Sequence, residues 1–192
     1  MIIQIRGTSG SGKSWVMHKI CRKLERTLQP WGYFEQTASG RERKIPSWYT
    51  YGDKIKILGP YQEACGGVDN IGASAPRVFP YMEQFDDRDN LVFAEGLLLS
   101  EDVIWSEKLK DKILVLHLDT PVEKCFQQVM SRKAKTGRGS KDLDRVRMKL
   151  SKRVQTIARA VKRMEALDNC EVITCSSNEA FKICRNHVNE YL

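Results

Sequence analysis

The sequence lacks the marks of membrane and secreted proteins. No apolar run approaches the ~20 residues that a helix needs to span a bilayer. The chain opens directly on the strand-like run Ile2-Ile3-Gln4-Ile5-Arg6, which leaves no room for a signal peptide. These absences argue against a membrane or secreted protein, and we expect a cytoplasmic one.

Cysteine pairs and clustered histidines are missing as well. None of the six cysteines forms a C-x-x-C pair, and the three histidines are scattered, so the sequence indicates no zinc site. We expect the cysteines to be reduced and mostly buried. Cys65 differs from the others because it stands beside Gly66 and Gly67 in a loop.

The length and composition fit one soluble domain. The chain has 192 residues, of which 41% are hydrophobic and 29% are charged, and it contains no internal repeat. We predict a single domain over residues 1–192, with an acceptor-binding insertion at about 47–75 and a small lid at about 132–141.

The positive charge is concentrated in one segment. Residues 130–165 contain 13 Lys or Arg and 3 Asp or Glu, a local net charge of +10, whereas the rest of the chain has a net charge of −2. Such a concentration favours a polyanionic partner.

A complete G-x-x-x-x-G-K-[ST] motif stands between the first strand and a helix-like run from Trp15 to Leu28. Its glycines let successive backbone N–H groups and a helix N-terminus surround phosphate oxygens. We therefore predict that this P-loop binds ATP through Gly7, Thr8, Ser9, Gly10, Ser11, Gly12, Lys13, Ser14 and Trp15.

Two residues are candidates for holding Mg²⁺. The Ser14 hydroxyl ends the P-loop motif, where it can complete the shell of an ion that bridges the phosphates. Glu95 ends the apolar run that starts at Leu91, the position where P-loop proteins hold a carboxylate toward that ion. Lys13 would add positive charge at the β- and γ-phosphates.

Strand-like and helix-like runs alternate along the chain. The expected strands are 2–6, 54–58, 91–96, 113–118 and 171–174, with residues 47–51 forming a hairpin with 54–58 around Gly52-Asp53 and residues 31–46 forming a loop. This alternation predicts an α/β fold, a P-loop kinase-like three-layer sandwich with helices on both faces of a five-stranded parallel sheet of order 2-3-1-4-5. The site should lie at the carboxyl ends of the strands.

Other P-loop classes fit the chain poorly. Asp69-Asn70-Ile71-Gly72 spells the D-x-x-G motif of GTPases, but no apolar strand precedes it and no N-K-x-D motif occurs. A run of cations in and after the helix from Pro121 instead resembles the lid of nucleotide kinases. We expect Arg132 and Arg138 there to neutralise the transferred phosphoryl group, and Ser176, after the last strand, to lie against the adenine.

The acceptor would bind at the loop between Leu58 and Gly72. Asp69 is the first choice for the proton acceptor and Asp53 the second, while a purely structural aspartate in a turn stays an alternative. Gly66 and Gly67, next to Cys65, would let a bulky acceptor approach the backbone. Tyr61, and with less support Trp48 and Tyr49, could stack on a base.

The long helix predicted from Lys141 to Leu167 has an apolar stripe and a basic ridge. The basic ridge consists of Arg145, Lys149, Lys152, Thr156, Arg159 and Arg163. Such a surface can neutralise DNA phosphates without reading sequence, and Arg145 and Lys149 are our candidate contacts.

The chain resembles the bacteriophage 5-hydroxymethyluridine DNA kinases, a P-loop family. The resemblance rests on residues 5–14, 58–61, 65–69 and 93–100, and extends loosely from 118–121 to the Arg132 region. It implies transfer of the ATP γ-phosphate to the 5-hydroxymethyl group of a modified uracil in DNA, in the cytoplasm of the phage's host. Pro60 stands where the family pattern has His and Val68 where it has Cys, so no role is carried over to either position.

Two alternatives remain open from the sequence. A kinase of free nucleosides or nucleotides would use the same P-loop and lid. A non-catalytic ATP-binding module would bind the nucleotide without turnover. An acceptor within DNA would in addition have to be flipped out of the duplex or presented on a single strand.

Overall fold

The computed structural model describes residues 1–24, 29–36, 42–61, 66–71, 75–135, 137 and 142–192, with only the backbone described for 29–36, 42–47, 75–78 and 81. Within these ranges, none of the helices is both long enough and apolar enough to cross a membrane. Cys65, Arg138 and most of the segment after Lys135 in the predicted lid lie outside the described residues.

The described part of the chain contains seven strands and six α-helices. The strands are β1 (Ile2–Arg6), β2 (Gln29–Gln36), β3 (Glu42–Tyr51), β4 (Ile55–Leu58), β5 (Leu91–Glu95), β6 (Ile113–Leu118) and β7 (Cys170–Cys175). The α-helices are α1 (Lys13–Leu24), α2 (Ala75–Gln84), α3 (Leu97–Glu101), α4 (Val122–Lys135), α5 (Leu143–Met164) and α6 (Ser177–Tyr191).

One sheet organises the fold, with strand order β2-β3-β4-β5-β1-β6-β7. The five strands β4-β5-β1-β6-β7 are parallel to one another. When only these five parallel strands are numbered in chain order, their order in the sheet is 2-3-1-4-5, as predicted. The α/β class is confirmed, but the predicted total of five strands is wrong because two antiparallel strands extend one edge.

The additional strands β2 and β3 replace the loop predicted at residues 31–46. They pair in antiparallel register, with Pro30 opposite Tyr49 and an irregularity between Trp31 and Gly32. A proline cannot donate to a ladder and is tolerated on an edge strand, which is the position of β2. Proline and glycine within this run masked its strand character in the sequence.

Helices cover both faces of the sheet. On one face, α2, α3 and α5 bury a cluster that includes Ile2, Val92, Leu99, Ala160 and Met164. On the other face, α1 and α6 bury Ile3, Met17, Phe93, Leu116 and Cys184. Because β1, β4, β5, β6 and β7 are parallel, the loops after them meet at one edge of the sheet, where the predicted site residues lie.

Candidate active site

The P-loop between β1 and α1 requires its glycines. Gly10 has φ +81°, and a Cβ there would stand 2.4 Å from the backbone oxygen of Cys125 in α4. Gly12 has φ +102°, and a Cβ would stand 3.0 Å from the Cβ of Ser177. The loop is thus folded tightly between α4 and α6, and a P-loop of this kind can surround phosphate oxygens with its remaining backbone N–H groups.

Lys13 is held inside this concavity. Its Nζ donates to the carbonyl oxygens of Gly7 and Thr8 at 2.7 and 3.0 Å. Burial lowers the pKa of Lys13, and the nearby carboxylates of Glu95 and Asp69 act in the opposite direction. The ammonium group therefore lies in a poorly solvated pocket where an additional anion would be strongly attracted.

Glu95 and Ser14 meet at the end of β5. The Ser14 hydroxyl donates to Glu95 Oε1 at 2.8 Å. Glu95 is 1% exposed, and this burial raises its pKa to about 7, although Lys13 and the Ser14 hydrogen bond lower it. A hydroxyl and a carboxylate at this spacing form an oxygen donor set of the kind that Mg²⁺ prefers.

A cavity of about 310 Å³ joins these groups. Its lining includes Lys13, Ser14, Asp69, Glu95 and Arg132, five residues predicted from the sequence. Ser9, Gly10, Gly12, Trp15 and Gly66 also line it, as do Asn70, Leu97 and Gln128.

The groups around this cavity fit a nucleotide phosphate chain with Mg²⁺. Lys13 and Arg132 bring two cations to its lining, where the phosphate oxygens of a nucleotide would be attracted. Ser14 and Glu95 bring the two oxygen groups that could hold the metal ion. The lining therefore has the charges and the oxygen ligands that such a ligand needs.

Asp69 also lines the cavity and is fixed by α3. Its Oδ2 accepts the backbone N–H of Leu97 at 2.6 Å, and its Oδ1 accepts that of Leu98 at 3.1 Å. A carboxylate at the start of a helix is stabilised by unpaired amides. Asp69 therefore holds one orientation while it borders the cavity.

The chain is similar in sequence to a known phage protein. No protein-family model matches the chain. A protein of Pseudomonas phage PaMx11, named 5-hmdU DNA kinase, is 33% identical over 139 residues, which are 69% of this chain and 69% of the relative. The chain belongs to the 5-hmdU DNA kinase family. It is a nucleotide-binding phosphotransferase of a phage kinase family.

Solved structures of deoxyadenosine kinase from M. mycoides are also similar. One with the products dCMP and dCDP has a TM-score of 0.46 at 13% identity and covers 99% of this chain and 100% of that one. Another with dATP has a TM-score of 0.43 at 12% identity and covers 98% of this chain and 100% of that one.

Two residues predicted to contact the acceptor, Asp53 and Tyr61, do not line the cavity. Asp53 is exposed in the turn before β4. It therefore lies at the amino ends of the parallel strands, whereas the P-loop lies at their carboxyl ends, and the length of β4 separates the two ends by about 13 Å. It cannot serve as the proton acceptor in this structure. Tyr61 is 8% exposed and packs edge-on against His18 with ring centroids 5.7 Å apart, so its faces are not available to a base.

The neighbouring aromatics are structural too. The Tyr49 hydroxyl accepts the backbone N–H of Tyr61 at 3.3 Å. Trp48 packs edge-on against Phe85 with centroids 5.6 Å apart. The stacking platform predicted from Tyr61, Trp48 and Tyr49 is therefore a set of packing contacts.

Gly66 and Gly67 permit close packing within the protein itself. A Cβ at Gly67 would stand 2.4 Å from the Glu95 backbone oxygen and 2.7 Å from its Oε1. A Cβ at Gly66 would stand 2.4 Å from the Tyr61 ring. The predicted approach of an acceptor to both glycines is wrong for Gly67, which faces Glu95, whereas Gly66 still borders the cavity.

The predicted adenine side is formed by α1 and α6. Trp15 is 42% exposed, borders the cavity and packs edge-on against Phe181 with centroids 6.2 Å apart. Ser176 caps α6 by accepting the Glu179 N–H, and its own hydroxyl donates to Glu179 Oε2 at 2.7 Å. The Ser176 hydroxyl is therefore engaged in the cap. Its neighbour Ser177 is the residue of α6 that packs against the P-loop, at Gly12.

Ser100 is a site residue that residue-level reasoning missed. Its Oγ accepts the Gly7 N–H at 3.1 Å and donates to the Gly96 carbonyl at 2.6 Å. It thereby joins the first P-loop residue to the helix that Asp69 caps. In the sequence, Ser100 stands out only as the last residue of the run Gly96-Leu97-Leu98-Leu99-Ser100, which carries part of the family resemblance.

Proposed function

We propose that this protein transfers the γ-phosphate of ATP to the 5-hydroxymethyl group of hydroxymethyluracil in DNA. The name of the phage relative, 5-hmdU DNA kinase, supports this choice of acceptor. The observation that carries the proposal is that Lys13, Ser14 and Asp69 line the same cavity. The same relative leads us to propose that the enzyme works in the host cytoplasm.

The donor half of the cavity would bind the triphosphate. The P-loop amides and Lys13 would hold its β- and γ-phosphates, and Arg132 at the end of α4 would neutralise charge on the transferred group. Ser14 and Glu95 would hold Mg²⁺, which when bound supplies charge neutralisation at the phosphate oxygens.

The acceptor half would position and deprotonate the alcohol. Asp69 is fixed by two backbone N–H groups of α3 and borders the cavity. It would take the hydroxyl proton as the acceptor oxygen bonds to the γ-phosphorus and the bond from that phosphorus to the ADP oxygen breaks.

Transfer of labelled γ-phosphate to three acceptors tests the proposal. The acceptors are an oligonucleotide with one hydroxymethyluracil, the same oligonucleotide with thymine, and free 5-hydroxymethyl-dUMP. We expect label in the first only. Transfer to the free nucleotide alone would contradict the proposal and identify a nucleotide kinase.

A variant of Lys13 tests whether the measured transfer comes from this protein and not from a contaminating kinase. Lys13→Ala should reduce the transfer rate by about 100-fold or more, because it removes a cation aimed at the phosphates. Lys23→Ala, in the last turn of the same helix, is the control, since Lys23 contacts Asn189 instead. A wild-type protein that binds ATP but transfers nothing to any acceptor would be a binding module.

A further inference from the structure

Two arginines of α5, Arg163 of the basic ridge and Arg153 beside it, pair with the segment 97–108. Arg163 Nη2 pairs with Glu107 Oε1 at 2.8 Å, and Arg153 Nε pairs with Glu101 Oε1 at 3.4 Å. Exposed ion pairs of this kind contribute little stability, but these two show how the helix lies. From Arg153 to Arg163 the partner moves from residue 101 to 107, so α5 and the segment run in the same direction.

This direction places the start of the ridge near the mouth of the cavity. Leu97, which borders the cavity, lies four residues before Glu101 in α3. Lys149 likewise lies four residues before Arg153 in α5. Since four residues of helix share a face and span about 6 Å, Lys149 lies one turn closer to the cavity than the Arg153–Glu101 pair.

The structure also separates engaged cations from available ones. Arg147 pairs with Glu123, Arg153 with Glu101 and Arg163 with Glu107. Arg145, Lys149, Lys152 and Arg159 are exposed, and none of the ion pairs among the described residues includes them. The first three occupy the half of the ridge that is nearer to the cavity.

We propose that Arg145, Lys149 and Lys152 bind the phosphate backbone of the DNA strand that carries the acceptor base, as the strand leaves the cavity. This inference rests on the proposed function, and it names the surface along which the DNA strand would leave the cavity. The three cations span about 10 Å of helix, so they can contact neighbouring phosphates of one strand. Lysine and arginine contacts of this kind bind phosphates without reading sequence.

Binding of an unmodified single-stranded oligonucleotide tests the path independently of catalysis. The variant is Lys149→Gln with Lys152→Gln, and the control is Lys162→Gln with Lys182→Gln, which removes the same charge elsewhere on α5 and from α6. We expect fluorescence anisotropy to give a Kd raised about tenfold for the ridge variant. The slope of log Kd against log salt should fall by about 1.4, since each single-strand phosphate contact contributes about 0.7.

Two results would overturn the path. One is equal weakening by the ridge and control variants, which would show a dependence on net charge alone. The other is an unchanged salt slope in the ridge variant. The proposed function fails separately, if the wild-type protein binds the oligonucleotide but transfers no phosphate to hydroxymethyluracil within it.

Discussion

The Ser14 hydroxyl donates a 2.8 Å hydrogen bond to Glu95 Oε1, across 81 positions of the sequence. The contact joins the first turn of α1 to the end of β5 and fixes the two oxygen ligands proposed for Mg²⁺. It also lies where burial raises the pKa of Glu95 to about 7. Two predictions depend on that raised pKa.

The first prediction concerns stability without ligands. The folded state binds a proton at Glu95 up to about pH 7, whereas the ordinary pKa of a glutamate side chain is 4.5. This contribution to stability is fully present below about pH 4.5 and is lost as the pH rises through 7, by roughly 3 kcal/mol at about 1.4 kcal/mol per pKa unit.

Urea unfolding between pH 4 and 8 measures this loss. The free energy of unfolding of the wild type, minus that of Glu95→Gln, should fall across this range. Glu83→Gln, at an exposed position of α2, is the charge-matched control. A wild-type minus Glu95→Gln difference that stays constant with pH would contradict a buried, proton-binding Glu95.

The second prediction concerns Mg²⁺ and catalysis. Proton and cation compete for the Glu95 carboxylate, so kcat/KM should rise with pH through an ionisation that moves to lower pH as Mg²⁺ is increased. Pre-steady-state and steady-state assays at several Mg²⁺ concentrations measure the shift, and removal of Mg²⁺ by a chelator should abolish transfer. An acid limb that is independent of Mg²⁺ would argue against Glu95 as a ligand.

The third prediction separates the two candidate aspartates. Asp69→Asn should lower kcat by about 10²- to 10⁴-fold, the usual contribution of a general base, with ATP binding retained. Asp53→Asn should have the wild-type rate, because that residue lies at the opposite edge of the sheet.

Asp69 also caps α3, so stability must be measured alongside. Loss of a charged acceptor of two N–H groups costs about 1–3 kcal/mol. If kcat of Asp69→Asn falls only in proportion to the folded fraction seen in thermal unfolding, Asp69 is a structural residue and not the base.

The fourth prediction compares two glycines of positive φ. Gly10→Ala would place its Cβ 2.4 Å from the Cys125 backbone oxygen, whereas Gly137→Ala has nothing within 4 Å. In both variants the alanine must adopt a positive φ, which costs an L-amino acid about 1–2 kcal/mol. Only Gly10→Ala should also displace α4 and lose ATP binding, as measured by calorimetry; equal effects would show that the close approach is unimportant.

Features that depend on neighbouring residues or strand order could be predicted from the sequence. The P-loop, the Glu95 carboxylate and the parallel strand order all follow from contiguous patterns and from the rule that sites lie at carboxyl ends of strands. Asp53 could have been excluded by the same rule, because it precedes its strand. An aspartate is chemically suited to accept the proton, but the position of Asp53 before its strand places it away from the site.

Features that depend on distant packing could not be predicted. Tyr61 is buried against His18 of α1, and Ser100 binds the Gly7 amide 93 residues away. No local pattern encodes either contact. The strand β2 was missed for a different reason, since Pro30 and Gly32 suppress its strand signal and only pairing with β3 restores it.

The position of the transferred phosphate is the most direct test of the proposed function. The wild-type enzyme is incubated with ATP and an oligonucleotide that contains one hydroxymethyluracil, and the product is cut to nucleotides by a nuclease without phosphatase and identified by mass spectrometry. We expect phosphate on the 5-hydroxymethyl oxygen of that base and no change in a thymine control. Phosphate at the 5′ end of the strand instead would contradict the proposed function.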